Sequence, residues 1–518
     1  MSFCDAFHFR VIVRAGYLVV LYFMAKFFIP LSFQSAIMNA GDTMPLILVV
    51  FGFIFSLRAC VYVYRISPFH SLHKVPGPWF NKLSRVPITM YTYKMTRHLY
   101  LRDLHRKFAP NTVSINTRAG FVTIHGSSQC FNKSEAYDIH REGEGLFFIK
   151  DRDQHGVRRK IWDRAYPSSI PEAYDAILKK ATAQLVERLQ YDSINCRSPV
   201  DLTRYISLWG FDIMANMVLG GGGYESKLLE SNDPRNLTRQ SKMTMVAFEI
   251  LGYVPWIYYM LKHLPLTTFR RFENFCTERA AERMSAASVS FQDVFSYWLD
   301  PAISLNESDL AIETQSALIA GSETPASMIS LLFFFILTHP EWHRRLQEEL
   351  DDAYQTHGVK LDLDTLAELP ILNAVILEGF RLGAVFSGLP RKIPSGGTFL
   401  EGYYLPAGTI VSVPIFAYNT NESIFPDPDS FNPARWLEDS DHRATKNQLL
   451  TFGAGPFRCV AIKLSYKLAR LALARVFLGV NLKVHETFDA GLFWEGIGNA
   501  RSTTFRRPLN VQVIPRHL

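Results

Sequence analysis

At 518 residues the chain is long enough for about three average domains, and 48% hydrophobic against 20% charged residues can fill a large core. The formal net charge is +7, but no basic block and no basic stripe interleaved with aromatics occurs, which sets nucleic-acid binding aside in favour of a membrane surface or an acidic partner. Six cysteines (Cys4, Cys60, Cys130, Cys196, Cys276 and Cys459) are scattered without a C-x-x-C pair, so neither a disulfide framework nor a zinc site is indicated, and a reduced compartment follows.

Two apolar stretches open the chain. Residues 11–29 are mostly apolar but carry Arg14 and Lys26; residues 44–64 contain the charge-free run Pro45 to Leu57, then Arg58. Each is near the ~20 residues needed to cross a bilayer. The first lacks a clear small-x-small cleavage site, so a cleaved signal peptide is not expected. Arg10 and Arg14 stand at its start, the connection 30–43 has no lysine or arginine, and Arg58, Arg65 and Lys74 come later. A hairpin with both ends in the cytosol satisfies the positive-inside rule. A single span over 45–64, with the first stretch lying in the interface, is the other reading. Val75-Pro76-Gly77-Pro78-Trp79 then makes a stiff, non-helical hinge. It divides an anchor, 1–74, from a large domain, 75–518.

Residues 151–168 read as a basic helix ending at Pro167, with His155 and Arg159 on one face. From 195 to 284 little chemistry is legible. The aromatics of 253–263 could line a pocket or touch the membrane, with core packing the preferred reading. Asn132, Asn236, Asn306 and Asn421 head N-x-S/T sequences, usable only in a lumenal domain and so expected to be unmodified.

Residues 306–337 form a long apolar helix interrupted at Ala320-Gly321-Ser322-Glu323-Thr324-Pro325. Pro325 has no N–H for the Gly321 carbonyl, so the helix is expected to open there, leaving room beside the glycine. Glu323 and Thr324 together can relay protons through water. Thr338 with Glu341, and Thr365 with Glu368, have capping-box spacing. The helix after Thr365 carries Glu378 and Arg381, an i,i+3 pair on one face. Arg435, in Phe431-Asn432-Pro433-Ala434-Arg435-Trp436, can complete a buried Glu–Arg–Arg network, costly unless every charge is paired. The short runs after Ser387-Gly388-Leu389-Pro390-Arg391 predict a small sheet. Last comes Thr451-Phe452-Gly453-Ala454-Gly455-Pro456-Phe457-Arg458-Cys459-Val460-Ala461, a tight irregular loop ahead of an apolar helix. Such a loop can aim N–H groups at a sulfur, and a thiolate held that way is a good ligand for haem iron.

This loop resembles the haem-binding loop of the cytochrome P450 family, F-G-x-G-x-R-x-C-x-G. Phe452, Gly453, Gly455 and Cys459 fall on the pattern, whereas Phe457 replaces the usual arginine and Ala461 the usual glycine. The 320–325 run matches the family's A-G-x-[DE]-T motif, Glu378 and Arg381 its E-x-x-R pair, and Val75–Trp79 the hinge of microsomal members. Phe211-Asp212-Ile213 and 220–223 resemble the family's helix end and the loop that follows it. The resemblance covers 75–518 and implies a mainly α fold with a small β region, the cytochrome P450 fold, preceded by an N-terminal membrane anchor. It further implies haem b with Cys459 as the axial iron ligand, propionate contacts from His155, Arg159 and Arg391, and a proton relay through Thr324 and Glu323. Because Phe457 cannot make the arginine's charge-assisted bond, haem is expected to be held less tightly than in relatives, and Phe457→Arg to slow its loss.

The function so implied is a haem-thiolate monooxygenase acting on an apolar small molecule, in the style of fungal secondary metabolism. Electrons would come from NADPH through NADPH-cytochrome P450 reductase, with cytochrome b5 as an accessory donor. The protein would sit in the endoplasmic reticulum membrane with its catalytic domain in the cytosol. Two alternatives stay open: a haem-thiolate isomerase or dehydratase that needs no proton relay, and a non-catalytic haem-binding membrane protein.

Overall fold

The computed structural model describes residues 43–83, 86–107, 113–126, 130–138, 144–195, 199–251, 268–301, 304–358, 361–383, 388–437, 446–499 and 503–516. The first apolar stretch, 11–29, and the aromatic run 253–263 lie outside them. The chain divides into two compact units, Met1–Arg85 and Val86–Leu518. The division thus falls beyond the 75–79 hinge, which belongs to the first unit.

In the first unit, helix α1 (Thr43–Ile66) is apolar with Arg65 in its last turn. Phe51, Phe53, Ile54 and Phe55 are exposed along it. Gly77 takes a φ of 157°, and Trp79 opens a short helix directly after Pro78.

The second unit is mainly helical. Its principal helices are α2 (Arg97–Lys107), α3 (Arg118–His125), α4 (Arg152–Ala165), α5 (Glu172–Asn195), α6 (Leu202–Leu219), α7 (Leu237–Leu251), α8 (Thr268–Met284), α9 (Glu307–Thr338), α10 (Pro340–His357), α11 (Leu363–Glu368), α12 (Pro370–Gly383), α13 (Ile415–Asn419) and α14 (Ile462–Gly479). The strands are short. β1 (Val113–Ser114), β6 (Ile410–Ser412) and β3 (Arg391–Lys392) form one sheet in the order β1-β6-β3, with β1 parallel to β6. β2 (Val200–Asp201), β10 (Asn510–Pro515) and β7 (Val480–Val484) form another. Two hairpins, β4 (Thr398–Leu400) with β5 (Tyr403–Leu405) and β8 (Ile497–Asn499) with β9 (Thr503–Phe505), complete the strands among the described residues, and an isolated bridge joins Lys133 to Arg391.

Helix α9 is the axis of the core. It is buried almost continuously from Leu310 to Leu337 and is flanked by α6 and α14, whose Trp209, Phe211, Leu473 and Phe477 are fully buried. Each such side chain contributes about 1.5–3 kcal/mol by leaving water. An all-round apolar helix is therefore a core element here.

Several local expectations are corrected. Helix α9 is not broken at Pro325 but runs unbroken from Glu307 to Thr338. Hydroxyls support it from within: Thr324 Oγ1 donates to Ala320 O and Ser327 Oγ to Glu323 O, and the buried residues on either side of Pro325 hold the helix in place. No room opens beside Gly321 either, because a Cβ there would lie 2.4 Å from the Met214 methyl of α6. The caps also differ. Helix α10 starts from His339 without a side-chain cap, and Thr338 Oγ1 instead donates back to Phe334 O at 2.8 Å. Asp362, not Thr365, caps α11, accepting from the Thr365 N–H at 2.9 Å. Glu378 lies on a separate helix, α12. Asp212 sits inside α6, where its buried carboxylate accepts from Ser226 Oγ and the N–H groups of Leu228 and Leu229.

Candidate active site

The cysteine loop takes its path from two glycines. Gly453 and Gly455 both have φ +66°, which side-chain-bearing residues rarely adopt. At Gly455 a Cβ would also come within 1.9 Å of His125 O at the end of α3, so only glycine lets loop and helix meet. Cys459 N–H then donates to Phe452 O at 2.9 Å and Arg458 N–H to Gly455 O at 3.1 Å. Ala461 is the N-cap of α14, whose N-terminal dipole favours negative charge there. Dense surroundings push the thiol pKa up, while the Ala461 N–H and the charge of Arg159 pull it back. The sulfur side of Cys459 opens into a cavity; this opening is the source of its exposure.

That cavity lies between the cysteine loop and α9. Its wall is mostly apolar, with Phe148, Phe248, Ile319, Met328 and Ile415 among the contributors. One end is basic. Lys133, His155, Arg159, Arg391 and Arg458 line it, and no aspartate or glutamate appears among the described lining residues.

The three predicted basic residues behave differently. Arg391 is buried on β3; it donates to Tyr137 Oη at 3.5 Å and Pro390 O at 3.2 Å, and its Nε has no hydrogen-bond partner. His155 is buried with Nδ1 likewise unpartnered, and its ring meets Phe457 at 4.5 Å between centroids. Burial, then the charges of Lys133, Arg159 and Arg391, push its pKa down to about 3, so His155 is neutral at physiological pH. Arg159 braces the loop: it donates to Arg458 O at 2.6 Å and Pro456 O at 3.4 Å, and pairs with Asp163 at 2.8 Å.

On α9 the expected acid–alcohol pair is not assembled at the cavity. Thr324 lines the wall beside Ser316 and Ala320. Glu323, the residue before it, turns to the other side of the helix and reaches Lys242 of α7 at 3.8 Å. Burial pushes the Glu323 carboxyl pKa up, with Lys242 opposing. Successive helical residues point about 100° apart, so one cavity wall does not take both.

The Glu378 network is complete. Arg381 donates to both Glu378 oxygens at 3.0 and 2.8 Å, Arg435 Nε at 3.0 Å, Trp436 Nε1 at 2.8 Å and the Asn432 N–H at 2.9 Å. Arg381 gives its other three guanidinium hydrogens to the carbonyls of Asn419, Pro428 and Ser430, and Arg435 also donates to those of Pro426 and Asp427. Asn419 carries the bracing onward. It donates to Arg381 O at 3.1 Å and to Thr451 Oγ1 at 3.2 Å, and Thr451 in turn donates to Phe380 O at 2.6 Å. The network thus ends on the first residue of the cysteine loop.

Two features escaped the sequence reading. Lys133 belongs to the basic end of the cavity, and nothing local marks it. Glu313 on α9 is fully buried, accepting from Arg158 at 2.9 Å and from the Leu146 N–H at 3.1 Å, and burial raises its pKa to about 7. A lone glutamate in an apolar helix was the available signal, since such a charge is buried only with a partner.

A group that fits here must be large, planar enough to lie between loop and helix, apolar over most of its area and anionic at one edge, and must accept a sulfur ligand. The orphaned Nε of Arg391 and the absence of acidic lining suit the anionic edge. Haem meets each condition, and the residues that could hold it are Cys459, Arg391, His155 and the loop 452–455.

The cytochrome P450 family profile matches residues 118–489. Among curated proteins, the chain is 29% identical to the cytochrome P450 monooxygenase FCK2 of Fusarium pseudograminearum, over 84% of this chain and 81% of that protein. It is 26% identical to the cytochrome P450 monooxygenase nodW of Hypoxylon pulicicidum, over 86% and 83% respectively. A tryprostatin B 6-hydroxylase of Neosartorya fischeri is 24% identical over 86% of this chain and 83% of its own length.

Proposed function

The chain belongs to the cytochrome P450 family and is an oxidoreductase of its monooxygenase class; from this premise we propose that it inserts one atom of dioxygen into an apolar small molecule of fungal secondary metabolism. The observation that carries the reading is one cavity with Cys459 on its floor, Thr324 in its wall, a mostly apolar lining and a basic end. Haem b, when bound, supplies dioxygen activation and oxygen transfer. The chain's own residues do the rest. Cys459 presents its sulfur on a loop pinned by Arg159 and, through Asn419 and Thr451, by the Glu378 network. Arg391 and His155 face the propionate end. Phe148, Phe248 and Ile319 desolvate and orient the substrate. Thr324 hands on protons at the cavity wall. Its hydroxyl donates to Ala320 O and so has a lone pair to offer. A relay through Glu323 requires that carboxyl to leave Lys242.

Electrons are supplied from NADPH by a reductase, with cytochrome b5 as an accessory donor. Helix α1, with its exposed Phe51, Phe53 and Phe55, supports anchoring in the endoplasmic reticulum membrane with the second unit in the cytosol. The test is spectral and then catalytic. The reduced, carbon-monoxide-bound protein should show the thiolate-type Soret band, Cys459→His should abolish it, and the wild type with a reductase should give an oxygenated product. A wild type without that band refutes the reading.

A further inference from the structure

Residues 144–148 give Leu146, Phe147 and Phe148 to the cavity lining. Side chains of other elements hold their backbone. Glu144 N–H donates to Asp309 at 2.8 Å and Leu146 N–H to Glu313 at 3.1 Å, both on α9. Arg158 of α4 donates to Glu144 O at 3.0 Å, and Lys133 to the carbonyls of Leu146 and Phe147 at 3.2 and 2.7 Å. At Gly145 the segment lies against α9: a Cβ there would stand 2.9 Å from Ile312 Cγ2 and 3.3 Å from Glu313 Oε2. Glu313, beneath it, is 0% exposed, whereas Arg158 and Asp309 keep 12% and 13%. The charged and titratable groups around Glu313 are Arg158 and Tyr166 on the α4 side, Asp309 on α9, Glu144 on the segment and Lys133 across it. Burial keeps the Tyr166 phenol protonated. Arg158 pairs with the Glu313 carboxylate but is shared with Asp309. A buried charge so partnered gains less from its pairing than it loses by leaving water. Ser316 Oγ lies 3.2 Å from the same Gly145 Cβ position and is buried without a hydrogen-bond partner, so it can accept a hydrogen bond from the neutral carboxyl.

Taking the cavity as the substrate site of the haem-thiolate reading, we infer that residues 144–148 are a proton-linked strap, held closed over the cavity by Glu313 in its neutral form and released when Glu313 ionises. Glu313 is not among the described lining residues; it is a positioning residue that acts through Leu146, Phe147 and Phe148. Under the strap its pKa is about 7, and opening to water returns it toward the ordinary 4.5. The closed strap therefore binds the proton more tightly than the open one. Closure is favoured at low pH, and that advantage is lost as pH rises through about 7. From pH 6 to pH 8.5 the opening constant should rise about tenfold.

The test uses the full-length, detergent-solubilised holoenzyme. Hydrogen exchange, corrected for intrinsic rates, reads the opening at three amides: Leu146, and Phe148 and Ile149, which donate to Gly145 O at 2.9 and 3.2 Å. In the wild type their protection should fall about tenfold from pH 6 to pH 8.5, while amides of the α9 core hold theirs. Escape of bound clotrimazole, an azole that must pass the strap, should quicken in the same proportion. Glu313→Gln keeps a neutral acceptor for Leu146 N–H and should show the wild-type pH 6 protection at both pH values. Glu313→Ala has no acceptor and should be poorly protected at both. The same pH dependence in Glu313→Gln as in the wild type, protection that rises with pH, or a Glu313→Ala as protected as Glu313→Gln would each overturn the inference. If Glu313→Gln yields no holoenzyme, Gly145→Ala decides. Its methyl wedges against Ile312, so clotrimazole should escape fast at both pH values; wild-type escape there overturns the strap. Hydrogen exchange does not depend on the iron ligand. A wild type with the expected exchange but no thiolate band therefore refutes the haem-thiolate reading alone, and a thiolate band with a strap indifferent to pH refutes this inference alone.

Discussion

Replacing Glu378 by glutamine keeps the shape of the network and removes its only negative charge. The carboxylate receives five hydrogen bonds, from Arg381 (two), Arg435, Trp436 and the Asn432 N–H. Summed at about 1.5–3 kcal/mol each, these would rival a whole domain's stability of about 5–15 kcal/mol, so they cannot be additive. The better guide is the cost of breaking a buried ion pair by removing one partner, about 3–5 kcal/mol. Both guanidiniums are buried and keep their carbonyl partners, so neither can swing out to water. The glutamine amide must moreover turn one N–H toward a donor. Glu378→Gln should therefore lower unfolding stability by about 3–5 kcal/mol. Because Thr451 ends the chain of contacts, the cysteine loop should loosen with it. Urea unfolding of the solubilised holoprotein would measure this, followed by Soret absorbance for the loop and by tryptophan fluorescence for Trp436. Full haem content together with a stability within about 1 kcal/mol of wild type, the size of an ordinary surface substitution, would refute the argument. An apolar triple replacement of Glu378, Arg381 and Arg435 should not rescue the protein, since it would orphan five backbone carbonyls.

Thr324→Ala should bind haem normally but divert reducing equivalents to hydrogen peroxide, lowering the rate of product formation by about 10²–10⁴; unchanged coupling of NADPH use to product would remove Thr324 from proton delivery. Glu313 gives a pH signature. Its folded pKa of about 7 lies above the ordinary value of 4.5, so the native state binds the extra proton and stability rises as pH falls from about 7 toward 4.5. The span corresponds to about 3 kcal/mol, and Glu313→Gln should flatten it; urea midpoints at pH 8 and pH 5.5 that shift equally in both proteins would contradict the assignment.

Much of the site was legible because it obeys rules that act along the chain. Gly453 and Gly455 announce positive φ ahead of Cys459. Asp151 caps α4, which stops short of Pro167, and Asn306 caps α9. Glu378 and Arg381 share a helical face whatever surrounds them. Dihedral preference, capping and i,i+3 spacing involve only near neighbours, so residue types in order are enough to read them. Which way a residue faces is another matter. Pro325 reads as a break, yet packing around α9 keeps the helix whole. Gly321 reads as open space, yet Met214 fills it. Glu323 and Thr324 read as a pair, yet the helix sends one to Lys242 and the other to the cavity. Lys133 has no local mark at all, because its place beside Arg391 comes from a β-bridge between segments far apart in the chain. By itself, then, the sequence determined the chemistry on offer and the local backbone that carries it. Only the tertiary structure decided which charges share a cavity, because that depends on how distant elements pack and on which buried groups find partners when they do.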